Sequence, residues 1–225
     1  MDEVLLKTEE LTKSFGGLVA IQELSMEVEA GEIHAVIGPN GAGKTTLIAQ
    51  LSGSLKPDSG RILFENREIT HVPEYRRSAL GLARSFQITS VLKNFSALDN
   101  VALAVQAHAG HSFRFWSKAR KAQELRVPAL EILEKIGLTD RMDIPASSLS
   151  HGEQRQLELA MALATRPKLL LLDEPMAGMG VEESQKMVEL LQDLKGAHTL
   201  VLIEHDMDAV FALADRITVS VYGES

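Results

Sequence analysis

The chain contains no cysteine, which excludes a disulfide scaffold, thiolate metal ligands and thiol catalysis, and fits a reducing compartment. Positive charge is in the minority. Lys and Arg number 23 against 31 Asp and Glu, giving a net charge of -8 and a pI of about 5.4. That balance disfavours a nonspecific nucleic-acid binder or a polybasic membrane anchor. No run approaches the roughly 20 consecutive apolar residues of a membrane span. The N-terminus, Met1-Asp2-Glu3-Val4, is acidic where a secretory signal would be basic. The expectation is a soluble protein whose membrane role, if it has one, runs through a partner. Aromatics are also scarce, and the single tryptophan, Trp116, lies in a locally basic stretch from Gly110 to Lys121. A nucleic-acid surface needs aromatics and cations together. Against the acidic background, this stretch reads instead as a surface loop entering a solvated helix, or a docking surface for a partner protein.

What is present is an ordinary globular balance, 45% hydrophobic and 24% charged over 225 residues, enough for one large domain or one with a sub-lobe. Apolar runs bounded by turns alternate with helical patterns, which predicts an α/β fold with a largely parallel sheet. Strands are predicted at 18–28, 32–37, 61–64, 168–172, 199–203 and 216–221, and a helix at 45–51 directly after a glycine-rich turn. Met187, Leu190, Leu191 and Leu194 recur at helical spacing. From about residue 96 to 164 the pattern is helical, with Leu130, Leu133 and Ile136 on one face and Gly137 as a stop. A helical lobe therefore interrupts an α/β core.

Gly38-Pro39-Asn40-Gly41-Ala42-Gly43-Lys44-Thr45 matches G-x-x-x-x-G-K-[ST] between a predicted strand and a predicted helix. The glycines let successive backbone N–H groups turn inward around an anion, and the following helix adds its positive end. Lys44 is predicted to bridge the β- and γ-phosphates, and the Thr45 hydroxyl to bind magnesium, with Thr46 next in the nucleotide site. Such a site calls for an aspartate at the end of a buried strand. Lys168-Leu169-Leu170-Leu171-Leu172-Asp173-Glu174-Pro175 supplies it. Asp173 is the expected magnesium-side carboxylate and Glu174 the expected general base for the attacking water. Together these motifs define a nucleotide triphosphatase.

Leu149-Ser150-His151-Gly152-Glu153-Gln154, at the start of a helix before the Asp173 strand, narrows the class. With it, nearly the whole chain resembles the ATP-binding cassette family, the ATPase subunits of transporters. The resemblance implies a P-loop NTPase core with a mainly parallel sheet, N-terminal antiparallel strands and an inserted helical subdomain, with residues 1–86 and 166–225 as core and 87–165 as the helical part. It implies that Phe15 stacks on adenine, that Gln87 touches magnesium and the attacking water, and that His205 is the switch histidine on the γ-phosphate. Ser150, His151, Gly152 and Glu153 fall in the signature that contacts ATP held by the opposite subunit. Taken alone, Phe15 would read as a core aromatic, Gln87 as a surface amide and His205 as a satisfied polar residue. Their order along the chain shifts that balance. His34, His71, His108, His111 and His198 have no metal-like spacing and read as structural.

Several positions depart from the family pattern. The third signature position is His151 where glycine is usual, and the fifth is Glu153 where glutamine is usual. Both keep a polar group near the helix start and are expected to be tolerated. Met176-Ala177-Gly178-Met179-Gly180 replaces the usual Ser-Ala-Leu-Asp and carries no carboxylate. That run, with Gly81-Leu82-Ala83-Arg84-Ser85-Phe86-Gln87, resembles the subunits of branched-chain amino acid and urea or short-chain amide importers. The ending Tyr222-Gly223-Glu224-Ser225 looks short beside such relatives. The resemblance implies ATP and Mg2+ as cofactors, a second cassette, two integral membrane permeases and, indirectly, a periplasmic solute-binding protein as partners, with no nucleic acid. It implies a peripheral place on the cytoplasmic face of the membrane. The alternative is a cassette ATPase of DNA repair or translation, which would need a long coiled-coil insertion or a second cassette.

Overall fold

The computed structural model describes residues 3–84, 91–108 and 123–220. Gln87 with Ser85 and Phe86, the basic stretch around Trp116, His111 and the ending 222–225 lie outside the described residues. By their contacts the chain divides into two compact units, Met1–Arg84 with Lys168–Pro175 and Leu191–Ser225, and Ser85–Pro167 with Met176–Leu190.

The first unit holds two sheets. Strand β1 (Val4–Phe15) pairs antiparallel with β2 (Leu18–Glu29), which alternates buried Leu24, Met26 and Val28 with exposed Glu23, Ser25 and Glu27. This alternation is the pattern of a sheet wet on one face. Strand β3 (Ile33–Ile37) runs into the glycine loop, and helix α1 (Lys44–Ser52) leaves it. Strands β4 (Ser59–Phe64) and β5 (Arg67–Glu68) complete the first sheet, in the order β2-β1-β4-β5.

After the short helix α2 (Glu74–Leu80), β6 (Leu82–Arg84) opens a second, parallel sheet. Its other strands are β7 (Leu169–Asp173), β8 (Thr199–Ile203) and β9 (Arg216–Val219), in the order β6-β7-β8-β3-β9. Every residue of β7 and β8 is buried, as expected of central parallel strands. Leu47, Ile48 and Leu51 of α1 join Leu6, Val28, Ile62, Val36 and Val201 in one core, so the phosphate-loop helix is clamped by apolar side chains from both sheets.

The second unit is helical. It contains α3 (Ala97–His108), α4 (Gln123–Lys135), which contains Pro128, and α5 (His151–Ala164). Leu133 and Ile136 are buried, and Gly137 follows α4 at φ +75°, a left-handed stop. Helix α6 (Val181–Leu194) follows β7 and buries Met187, Leu190, Leu191 and Leu194. Helix α7 (Met207–Leu213) belongs to the first unit; it precedes β9 and is capped by Asp206, whose carboxylate accepts from Asp208 N and Ala209 N. Among the described residues no helix is long and apolar enough to cross a membrane.

Three strands, β1, β5 and β6, go beyond the sequence pattern. Around Glu10, at φ +48°, the pairing of β1 with β2 slips between Thr8 and Leu11. The bulge breaks the two-residue period that would have announced β1. β5 has only two residues and β6 three, too few to show a period.

Candidate nucleotide site

The parallel strands direct their carboxyl ends to one edge of the second sheet, where open α/β folds bind ligands. The loop after β3 is tightly built. A Cβ on Gly43, at φ +84°, would lie 2.0 Å from the Ala20 carbonyl oxygen, and one on Gly38 would lie 2.1 Å from that of Ser220. The Ser220 hydroxyl donates to the Ala42 carbonyl at 2.7 Å, pinning the loop from β9. Gly43 caps α1 with no side-chain hydrogen bond, and the first turn carries no acidic residue. The leading N–H groups of α1 are therefore not answered by a side-chain cap, which suits an anion.

Lys44 curls back over this loop, its ammonium donating to the carbonyls of Gly38 at 2.7 Å and Pro39 at 2.9 Å. Burial lowers its pKa, while the charges of Glu174 and Asp173 act in the opposite sense. Asp173 ends β7 fully buried. Burial raises its pKa, and the nearby Arg84 charge opposes that rise. Its Oδ2 lies 3.4 Å from Arg84 Nη2, whereas its Oδ1 is buried with no hydrogen-bond partner.

Glu174 follows at φ +49°, a strained conformation for a residue with a side chain. Its N–H donates to the Ile203 carbonyl at 2.9 Å, and its Oε1 accepts from His205 Nε2 at 2.7 Å. A cavity of about 280 Å³ is lined by Phe15, Leu18, Ala20, Asn40, Gly41, Gly43, Lys44, Thr45, Thr46, Glu174 and His205. Phe15 is 49% exposed, so it is no core aromatic, and the Lys13 ammonium sits 5.5 Å from its ring centre.

The structure thus brings Phe15, the 38–46 loop, Asp173, Glu174 and His205 together. A larger cleft of about 670 Å³ lies beside Lys7, Glu9, Glu27, Arg61 and Arg216. Its cations are taken up by Lys7–Glu27 at 2.9 Å, Arg61–Glu9 at 2.6 Å and Arg216–Glu29 at 3.0 Å. His34 is buried, bonded to Glu32 at 2.9 Å and to Thr218 at 2.8 Å, a structural role.

The Ser150 motif lies in the helical unit. Ser150 caps α5 by accepting from Glu153 N at 3.1 Å, and Glu153 Oε2 accepts from Ser150 N at 2.8 Å. A glutamine would close the same reciprocal capping box; what glutamate at position 153 adds is the ion pair of its Oε1 with Arg141 Nε at 3.0 Å. His151 Nε2 reaches the Ala177 carbonyl at 3.2 Å. The Ser150 hydroxyl donates to Glu183 at 3.1 Å, and a Cβ on Gly152 would meet the same carboxylate carbon at 2.6 Å. Sequence gives no role to Ser220 or Glu183, which lie in no motif, nor to Arg84, which stands in the 81–87 run without a function of its own there; folding brings each to its partner.

The fold and the glycine loop define a P-loop nucleotide-binding protein. Residues 21–177 match the family model described as ABC transporter. The chain is 35% identical to the high-affinity branched-chain amino acid transport ATP-binding protein BraF of Pseudomonas aeruginosa, covering 97% of this chain and 89% of that protein. It is 37% identical to the probable branched-chain amino acid transport ATP-binding protein LivG of Archaeoglobus fulgidus, covering 97% and 86%. Among solved structures, the ADP conformation of an ATP-binding cassette of an ABC transporter superposes with a TM-score of 0.86 at 33% identity, over 98% of this chain and 89% of that one. The chain belongs to the ABC transporter family, as an ATP-binding cassette that hydrolyses ATP to drive transport.

Proposed function

We propose that this cassette is the ATPase subunit of an importer for branched-chain amino acids or closely related small amino acids and amides. The observation that carries the reading is the gathering of Lys44, Asp173, Glu174 and His205 around one phosphate-sized loop. The relatives named above supply the solute class. The loop N–H groups and the start of α1 hold the phosphates, and Lys44 exchanges its carbonyl partners for phosphate oxygens. Thr45 and the unpartnered Oδ1 of Asp173 suit Mg2+, which when bound neutralises charge on the phosphates. Glu174 takes the proton of the attacking water, and His205, hydrogen-bonded to it, orients it. Phe15 stacks on the base. The chain's contribution is positioning and electrostatics, without covalent catalysis.

A second cassette places its own Ser150, Gly152 and neighbours against the γ-phosphate. The helical part, 87–165 by sequence, with Gln87, docks on two membrane subunits fed by a solute-binding protein, at the cytoplasmic face. In cells whose own copy is replaced by the Glu174→Gln variant, uptake of labelled leucine, isoleucine and valine should fall to the level of a deletion strain. The purified variant should keep ATP and lose its turnover. With turnover lost in the purified variant, uptake unchanged for all three amino acids overturns the branched-chain part of the solute assignment, and turnover within a few-fold of the parent overturns the role of Glu174.

A further inference from the structure

We propose that Arg84 is a positioning residue for the magnesium-side carboxylate, holding one oxygen of Asp173 so that the other is presented to the metal. The proposal rests on the reading of Asp173 given above. β6 and β7 run parallel with Arg84 in register with Leu171, so the Arg84 side chain extends along the sheet to reach the residue that ends β7. Nη2 lies 3.4 Å from Asp173 Oδ2, and Nη1 lies 3.4 Å from the Ser54 hydroxyl. Ser54 in turn donates to the Ala49 carbonyl at 3.1 Å, in the last turn of α1. The guanidinium is therefore tied at both ends, to the helix that begins at the phosphate loop and to the strand that ends in the aspartate. The side chain of Arg84 is only 13% exposed and that of Asp173 is 0% exposed.

A buried carboxylate with one engaged oxygen and one bare oxygen is costly unless something completes it. Oδ1 is that bare atom. Nη2 engages Oδ2 while Nη1 is held on Ser54, so the planar guanidinium is anchored and sets which carboxylate oxygen is turned away from it. Groups that orient a metal ligand in this way act on affinity through the ligand itself.

The test is ATP binding by calorimetry, with magnesium and with EDTA, in the Glu174→Gln background so that nucleotide is not consumed. Arg84→Met should lose about tenfold of the magnesium-dependent gain in affinity, the lower end of what such outer residues contribute. Its affinity in EDTA should match the parent, and Arg84→Lys should recover part of the loss. A full magnesium response in Arg84→Met, with the response lost in Asp173→Asn, overturns the proposal and leaves Asp173 in place. Equal losses in magnesium and in EDTA also overturn it, because that is the mark of a purely structural residue. A full response in Asp173→Asn removes the reading on which the proposal stands, and the proposal with it. Should Arg84→Met not fold, Arg84→Gln is measured in its place with the same outcomes.

Discussion

Charge buried without a counter-charge is the sharpest feature at the level of single residues. Arg77 is 1% exposed, and its guanidinium donates to four backbone carbonyls, those of Gln50, Leu51, Thr70 and Val72, at 2.8–2.9 Å. Burial lowers its pKa to about 10, which leaves it charged at neutral pH. Two of those carbonyls end α1, where a cation also meets the negative end of the helix. Arg77→Met should therefore cost about 2–4 kcal/mol, because several buried acceptors lose a charged donor at once. A urea midpoint and slope give the value, and a loss below about 0.5 kcal/mol would contradict this account. Sequence could not reveal Arg77, since its partners are main-chain atoms of two separate segments, 50–51 and 70–72. Lys44, Asp173 and Glu174 were legible because their chemistry dictates their spacing from a glycine turn and from a strand end. The orientation of Asp173, with one oxygen toward Arg84, was not, because it depends on β6 lying beside β7.

Among the elements, α1 carries an internal flaw. Gln50 is fully buried, and neither its amide nitrogen nor its amide oxygen has a hydrogen-bond partner. Its neighbours on the helix, Leu47 and Leu51, sit in the apolar core. Gln50→Leu should stabilise the protein by about 1 kcal/mol, since it removes an unanswered polar group from a site of similar volume. Thermal unfolding with ATP absent would show this as a rise in midpoint. A fall would mean that the amide is satisfied in solution. The central strands β7 and β8 were legible in sequence because burial on both faces gives unbroken apolar runs. β1 was not, because the bulge at Glu10 moves its apolar residues out of phase. The helical unit was visible as a change of period, yet the grouping of 176–190 with it was not. That grouping reflects contacts such as Ser150 with Glu183 and His151 with Ala177, which join residues distant in sequence.

At the scale of the whole molecule, a single chain places its Ser150 hydroxyl on its own Glu183. The hydroxyl proton is thereby committed, and donating it to a γ-phosphate requires exchange of that carboxylate for the phosphate. The proposed arrangement has each ATP held by the Lys44 loop of one cassette and the Ser150 end of α5 of another. Pairing Ser150→Ala subunits with Lys44→Ala subunits separates a shared site from a single-chain site. In a mixed dimer, both substitutions fall on one composite site and the other composite site is intact. Were each site built from one chain, every subunit of the mixture would stay damaged whatever its companion. The mixed species is verified by mass before measurement, and nucleotide occupancy is recorded together with the rate, because obligatory alternation between sites would hide rescue of turnover. The expected result is one tightly held ATP per mixed dimer, with occupancy above both mutant homodimers. Verified mixed dimers that hold no nucleotide above those homodimers would remove the shared site, while leaving the phosphate loop and Asp173 as a site within one chain.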